Sequence, residues 1–338
     1  MANTSFDVVI PLYRCRWNTQ AVLEGITTHY APRAIHIIAP EQEAQAVLEK
    51  AKAWQVATLS TYREESFFEG CGFSKDAICA ELDLGASLYT PGWFYQQLLK
   101  LGAAEGIAGL SEWYVVWDSD LLPAATWPLV EEDQSNLQHR FALLQHNKWG
   151  NADIVSTWAK WIRSVLEVEP CLAPEGTFIP HHMWFKQEHL NTFKHQLNLH
   201  YQTNSHWLLL MMRSANEFGT FSEYWAYASW VAAKAPADLS FYPYDQYGAT
   251  TERFFDDGTG LFSAALRSHL AMPSVEDAVF SPSYADVAAF IRAEYGPEAM
   301  PSSLSFESSP RHLKKNEATM HIEEQRSRWN PRGQRANS

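Results

Sequence analysis

The chain has 338 residues, 46% of them hydrophobic and 14% aromatic, enough for a large core or two ordinary domains and incompatible with global disorder. A formal net charge of -13 argues against a protein built to grip nucleic-acid backbones, yet allows a small anionic ligand held by local Arg, Lys or metal. The cysteines Cys15, Cys71, Cys79 and Cys171 form no C-x-x-C pair, which fits a reducing compartment.

The opening "MANTSFDVVIPLYR" lacks a basic region followed by a long apolar run, and "WLLLMM" at 207 to 212 falls far short of a membrane span. The expectation is a soluble cytoplasmic protein. "FDVVIPLY" (6 to 13) reads as a buried strand, followed by a helix with Asn18 at its N-cap. "AIHIIAP" (34 to 40) is a second strand, "EQEAQAVLEKAKAW" a helix and "QVATLS" (55 to 60) a third strand. Strands alternating with helices at this spacing predict βαβ units, hence an α/β fold with a mainly parallel sheet.

"TPGWFYQQLLKLGAAEG" (90 to 106) is the best-marked helix, with Thr90 as cap, Pro91 in the first turn and glycines at the end. Phe94, Leu98 and Leu101 make its apolar stripe, with Trp93, Gln97 and Lys100 on a neighbouring face. The run "WYVVW" (113 to 117) is the next strand and stops on Asp118 and Asp120. Beyond it the chain reads as mostly helical, in "NADIVSTWAKWIRSVLEV", "FKQEHLNTFKHQLNLHY", "NSHWLLLMMRSANEFG" and "SEYWAYASWVAAKA". After Pro301 it turns Ser-rich and then basic, with seven Lys/Arg against three Glu from Arg311 onward, which predicts a flexible basic tail over 301–338.

Ligands of open α/β sheets bind at the carboxyl ends of the strands. A buried strand that delivers Asp-x-Asp there puts two carboxylates on one side of the chain, where hard divalent cations find their preferred oxygens. The plainer reading is an Asp pair capping a turn. A dehalogenase-type phosphohydrolase needs Asp-x-Asp-x-Thr/Val on the first strand, and "DSDLL" on a later strand does not match. No G-x-x-x-x-G-K-[ST] is present, "DGTG" (257 to 260) is too short for a dinucleotide site, and "RFFDDG" (253 to 258) reads as a solvated acidic turn.

The layout resembles the GT-A fold of nucleotide-diphospho-sugar-dependent glycosyltransferases, in particular bacterial sugar transferases associated with surface-polysaccharide synthesis. The stretches that carry the resemblance are "DVVIPLY", "GWFYQQLLKLGAA" followed by "YVVWDSDLL", "IPHHMWF" and "FSEYWAY", spanning roughly residues 6 to 235. It implies a GT-A-like catalytic domain over 1–300, with 1–122 binding the nucleotide sugar and a helix-rich 123–300 facing the acceptor. It further implies Mn²⁺ or Mg²⁺ held by Asp118, Asp120 and His182 and bridging to the donor diphosphate, with His181 beside them. Pro11, Tyr13 and Arg14 would hold the nucleotide, and Gln97, Lys100 and Asp118 would contact base, ribose or phosphate. Solvated polar positions on the helix explain Gln97 and Lys100 equally well.

Glu223 in "FSEYWAY" is the candidate general base, although a Glu behind a Ser222 cap is favoured by the helix dipole alone. The implied partners are a nucleotide-diphosphate sugar and a glycan or lipid-linked acceptor, with no nucleic acid and at most peripheral membrane contact through the tail. The stretch "LLPAATWPLVEEDQ" departs from the expected pattern and leaves the acceptor unassigned. A nucleotidyltransferase with the same metal carboxylates, and a non-catalytic carbohydrate-binding protein using some of the 14 tryptophans, remain alternatives.

Overall fold

A computed structural model describes residues 5–84, 90–132, 139–145, 152–172, 181–243, 253–256, 261–272, 280–296 and 300–307. The first half alternates as read: β1 (Asp7–Pro11), α1 (Thr19–Tyr30), β2 (Ala34–Ala39), α2 (Glu41–Ala51) and β3 (Leu59–Arg63), then α3 (Lys75–Glu81), α4 (Pro91–Leu101), the short α5 (Ala103–Gly106) and β4 (Trp113–Trp117). β5 (Leu121–Pro123), β6 (Val130–Glu132), β7 (His139–Gln145) and α6 (Ala152–Trp161) lead into the second half. There β8 (His182–Lys186) precedes α7 (Gln187–Tyr201), α8 (Trp207–Phe218), α9 (Glu223–Lys234) and β9 (Leu239–Pro243). The last described elements are β10 (Arg253–Asp256), α10 (Leu261–His269), α11 (Tyr284–Tyr295) and β11 (Ser303–Glu307).

The central sheet has the order β3-β2-β1-β4-β8, with β3, β2, β1 and β4 parallel and β8 antiparallel to β4. Every residue of β1, β2 and β4 is buried, as expected of strands covered by helices on both faces. The fold is therefore α/β with a mainly parallel sheet flanked by helices. The strand order reverses between β1 and β4, because β2 lies on one side of β1 and β4 on the other. At that point the loops leaving two neighbouring strands diverge, and a crevice opens at their carboxyl ends.

The caps of α4 and α9 behave as read: Thr90 Oγ1 accepts from the Trp93 amide and Ser222 Oγ from the Trp225 amide. Asn18 does not cap α1; its backbone is helical (φ -87°, ψ -9°) and its side chain makes no capping bond. The third strand starts later than expected, at Leu59. The amides of Gln55 and Ala57 are taken by Glu24 and Thr27 on α1 and so are withheld from a strand ladder. "HMWFK" is a strand of the main sheet, and "RFFD", read as part of a solvated acidic turn, is a strand that pairs with β11.

Residues 301–307, expected to belong to the tail, are part of the fold. Ser303–Glu307 is a strand that pairs antiparallel with β5, and Leu304 and Phe306 are buried. Phe306 packs edge-on against Trp17 and Phe262, so its apolar surface holds this segment in the core. Residues 308–338, including the basic stretch, lie outside the described residues, as does "DGTG". Among the described residues no helix is long and apolar enough to cross a membrane.

Candidate active site

The β4 strand ends where the sheet order reverses, and three backbone bonds fix the turn that follows. The Asp118 amide donates to the His181 carbonyl (2.8 Å), the Leu121 amide to the Asp118 carbonyl (3.0 Å) and the Phe306 amide to the Asp120 carbonyl (3.0 Å). The indole of Trp117 closes it by donating to the Leu121 carbonyl at 2.7 Å. Both aspartates are thus mounted on rigid backbone at the carboxyl end of a buried strand and are themselves partly solvent-accessible.

Asp118 is the centre of a polar network. Its Oδ1 meets the Lys100 ammonium at 2.9 Å and accepts from the Tyr224 hydroxyl at 2.8 Å. Its Oδ2 faces His181 Nδ1 at 3.6 Å. Lys100 donates in turn to Glu223 Oε1 at 2.8 Å and lies over the Tyr224 ring, 4.4 Å from its centroid. The Lys100 and Glu223 side chains are 7% and 6% exposed, whereas Asp118 keeps 24%, so the network opens to solvent at Asp118.

The charge states follow from this geometry. Burial pushes the Asp118 carboxyl up, but the Lys100 ammonium, His181 and the bonds from Lys100 and Tyr224 hold it below its ordinary value. Burial alone would lower Lys100, but Asp118 and then Glu223 raise it well above the ordinary lysine value. The Tyr224 hydroxyl is pushed up by burial and by Asp118, so it stays protonated and donates. One cation between two carboxylates leaves the site with a net negative charge, on the side open to solvent.

The loop after β1 forms the other wall. Tyr13 is 66% exposed and Arg14 is exposed, while the Cys15 amide is anchored on Glu43 Oε2 at 2.8 Å. Arg16 is within electrostatic reach of Asp120: burial and Arg14 lower the guanidinium and Asp120 raises it. Pro11 is buried at the end of β1, in register with Ile38, and acts by directing this loop.

Of the residues singled out from the sequence, the fold brings Lys100, Asp118 and Glu223 into direct contact, with Asp120 on the same turn. Lys100 is accordingly not a solvated helix position, and Asp118 Oδ1 is already taken. Gln97 is also buried; its Nε2 donates to the Trp93 carbonyl at 3.1 Å, and its Oε1 meets no donor among the described residues. His182 is placed away from the acidic turn. It pairs with Trp117 in the β4–β8 ladder and packs against the Trp117 and Trp127 rings at 4.8 and 4.3 Å.

His181 holds the position expected of His182. His181 precedes β8 and its backbone turns there, so it faces the aspartates while His182, the first residue of the strand, faces the tryptophans. His181 takes the left-handed conformation (φ 57°), which is uncommon for a residue with a side chain and is found at sites that hold a group in place. Sequence reasoning also missed Tyr224 and Arg16. Each lies within two residues of one that was chosen, and only the packing of α9 and of the β1–α1 loop separates the neighbours by role.

A divalent cation is matched only in part. Asp118 Oδ2 and His181 Nδ1, 3.6 Å apart, offer a carboxylate and an imidazole on the open side with Asp120 on the same turn, but among the described residues these three do not gather into one cluster of ligand atoms, and His182 does not fit because it is enclosed by indole rings.

Fold and site together define an α/β protein whose strand β4 ends in paired aspartates at the switch point of its sheet, with Arg16 of the β1–α1 loop in electrostatic reach of Asp120. The chain belongs to a family of unknown function (DUF6492), whose model matches residues 12–258. Among curated proteins none matches. Among solved structures the chain is similar to mouse xyloside xylosyltransferase 1 in its apo form, at 9% identity and a TM-score of 0.37 over 81% of this chain and 96% of that one. It is similar also to the PaToxG glycosyltransferase, at 11% identity and a TM-score of 0.36 over 85% of this chain and 87% of that one.

Proposed function

We propose that this chain is a GT-A-like glycosyltransferase, moving a sugar from a nucleotide-diphosphate donor to a glycan or lipid-linked acceptor in polysaccharide biosynthesis. One observation carries the reading: an Asp-x-Asp turn held rigidly at the switch-point crevice, facing an arginine-bearing loop with an exposed tyrosine. In this reading Tyr13 stacks on the donor base. Arg14 and Arg16 meet the diphosphate as charge-assisted donors. Asp120, Asp118 Oδ2 and His181 hold Mn²⁺ or Mg²⁺, which when bound supplies positive charge to the departing nucleoside diphosphate.

Lys100 and Glu223 are assigned as positioning residues. Glu223, enclosed and bonded to Lys100, is poorly placed to take a proton from an acceptor, so the general-base role proposed for it from sequence gives way to a structural one. Its carboxylate holds the Lys100 ammonium, the ammonium fixes Asp118 Oδ1, and Asp118 then presents Oδ2. Gln97, one helical turn before Lys100, supports the same wall. The negative charge of the chain is consistent with the absence of a nucleic-acid partner, and action on lipid-linked acceptors would take place at the cytoplasmic face of a membrane. Among the described residues ten tryptophans are buried, including Trp117, Trp127, Trp161, Trp184 and Trp225, which weakens the alternative of a sugar-binding protein with an indole surface.

The test is thermal stability against a panel of nucleoside diphosphates and nucleotide sugars with Mn²⁺, Mg²⁺ or EDTA. A ligand at 100 times its dissociation constant stabilises the native state by about 2.7 kcal/mol. We expect metal-dependent stabilisation by one nucleotide and its loss in Asp120→Ala, with release of nucleoside diphosphate on turnover. Equal behaviour of wild type and variant with and without chelator overturns the metal assignment. Release of pyrophosphate would make the chain a nucleotidyltransferase, and stabilisation by free glycans alone would make it a binding protein.

A further inference from the structure

The sequence places Cys71, Glu105 and His206 far apart, yet their ligand atoms all lie within 4.8 Å of one another. Three segments converge to do this: a 3-10 turn ending at Cys71, the short helix α5 and the N-cap of α8. We propose that these three side chains form a metal site for a zinc-class divalent cation, separate from the acidic turn at the sheet edge.

Several features build this convergence. Gly72, at φ 85°, turns the chain sharply just after Cys71. Glycines 102 and 106 flank Glu105 and let α5 lie directly on the two phenylalanines that precede Cys71. A Cβ at Gly102 would fall 2.6 Å from the Phe68 ring and 2.8 Å from Trp207, and one at Gly106 would run into Phe67. The carboxylate of Glu105 is oriented rather than free. Its Oε1 accepts from Lys194 Nζ at 2.8 Å and from the Trp207 indole at 2.6 Å. That leaves Oε2 turned to Cys71, with the thiol donating to it at 3.9 Å.

The chemistry of the set selects the ion. Thiolate, imidazole and carboxylate together match zinc-class metals rather than Mg²⁺ or Ca²⁺, which take oxygen ligands. In tetrahedral zinc geometry a sulfur and an oxygen or nitrogen ligand sit about 3.5 Å apart, so the Cys71–Glu105 pair needs to close by only a few tenths of an ångström. Three protein ligands leave a fourth position for water. Binding releases the Cys71 thiol proton to solvent, and the resulting thiolate and the carboxylate balance the two charges of the ion. His206 Nδ1 now accepts from the Leu208 amide at 3.3 Å. Coordination either uses that nitrogen or moves the ring proton onto it, and in both cases this weak cap is exchanged for a metal bond. Oε1, already satisfied by Lys194 and Trp207, is the kind of outer support that metal-ligating carboxylates carry.

The experiment is Co²⁺ titration of the full chain, read by the near-ultraviolet thiolate-to-cobalt absorption band. The expected result is one equivalent of cobalt with that band in wild type, the same in Asp120→Ala, no band in Cys71→Ser, and affinity reduced at least ~10-fold in His206→Gln. Circular dichroism in chelator establishes that the variants fold. In unaltered protein, Zn²⁺ should slow alkylation of Cys71 by a maleimide, located by peptide mass spectrometry, and this readout needs no variant. Absence of the band, its persistence in Cys71→Ser, or unchanged alkylation with Zn²⁺ would overturn the site. Loss of the band in Asp120→Ala would show that it depends on the acidic turn and would overturn the site as a separate one.

Discussion

Lys100 is a lysine with two carboxylates and almost no water, and its value to the protein depends on both remaining. Removing one partner of a buried ion pair costs about 3–5 kcal/mol, because a charge is left uncompensated. Lys100→Met therefore should lower the unfolding free energy by roughly that amount, measured as a drop in urea midpoint, since it strands Asp118 and Glu223 together. Tyr224→Phe is milder, as it deletes one hydrogen bond to a charged acceptor worth about 1.5–3 kcal/mol. Under the proposed function it has a second consequence: Asp118 is less firmly held, so donor affinity falls while the far-ultraviolet circular dichroism stays unchanged. A variant with wild-type stability and wild-type nucleotide binding would show that this hydroxyl does not support Asp118.

At the scale of elements, the acidic turn is clamped by two segments far along the chain. His181, just before β8, holds Asp118 through its carbonyl, and β11 holds Asp120 through the Phe306 amide. The grip of β11 comes from its buried Leu304 and Phe306 side chains. Phe306→Ala should cost about 3–5 kcal/mol by the usual penalty for truncating a buried aromatic. Because the strand adjoins Asp120, the variant should also lose nucleotide-dependent stabilisation more steeply than an equally destabilising change at Phe193, on the buried face of α7. Equal losses in the two variants would show that β11 contributes only to the core.

For the whole molecule the ionisable groups predict the shape of the stability curve. Asp118 is held below its ordinary value of 3.8, so its contribution is complete above that pH and fades as pH falls through the lowered value. Lys100 is raised above 10.5, so its contribution is complete below that pH and is lost only as pH rises through the raised value. Asp118 and Lys100 are therefore silent across the neutral range. His29, His189 and His206 add a slope there, each lowered from 6.5, first by burial, in His189 also by Lys186 and in His206 also by Lys194. Unfolded, these rings take up protons that the native state refuses, so stability falls as pH drops below 6.5 and is full above it. Urea midpoints should be flat from about pH 7 to 9 and decline from 6.5 downward. His29→Gln, at a ring bonded to Tyr284 OH at 2.6 Å, should flatten that decline by up to one proton.

Much of the molecule follows from local pattern. Unbroken apolar runs make β1, β2 and β4 strands buried on both faces, Thr90 and Ser222 begin their helices, and the position of Asp118 and Asp120 after "WYVVW" marks the carboxyl edge of a sheet. These are short-range effects, since strand period, capping and turn chemistry act over a few residues. What tertiary structure alone decided is which charges meet. Lys100 and Glu223 are 123 positions apart and share a hydrogen bond only because α4 and α9 pack at the end of β4. The left-handed turn before β8 set His181 rather than its neighbour beside Asp118, and packing of glycines 102 and 106 against an aromatic pair brought Cys71 to Glu105. Side-chain chemistry across such distances is set by how whole elements pack, and no window of sequence contains that information.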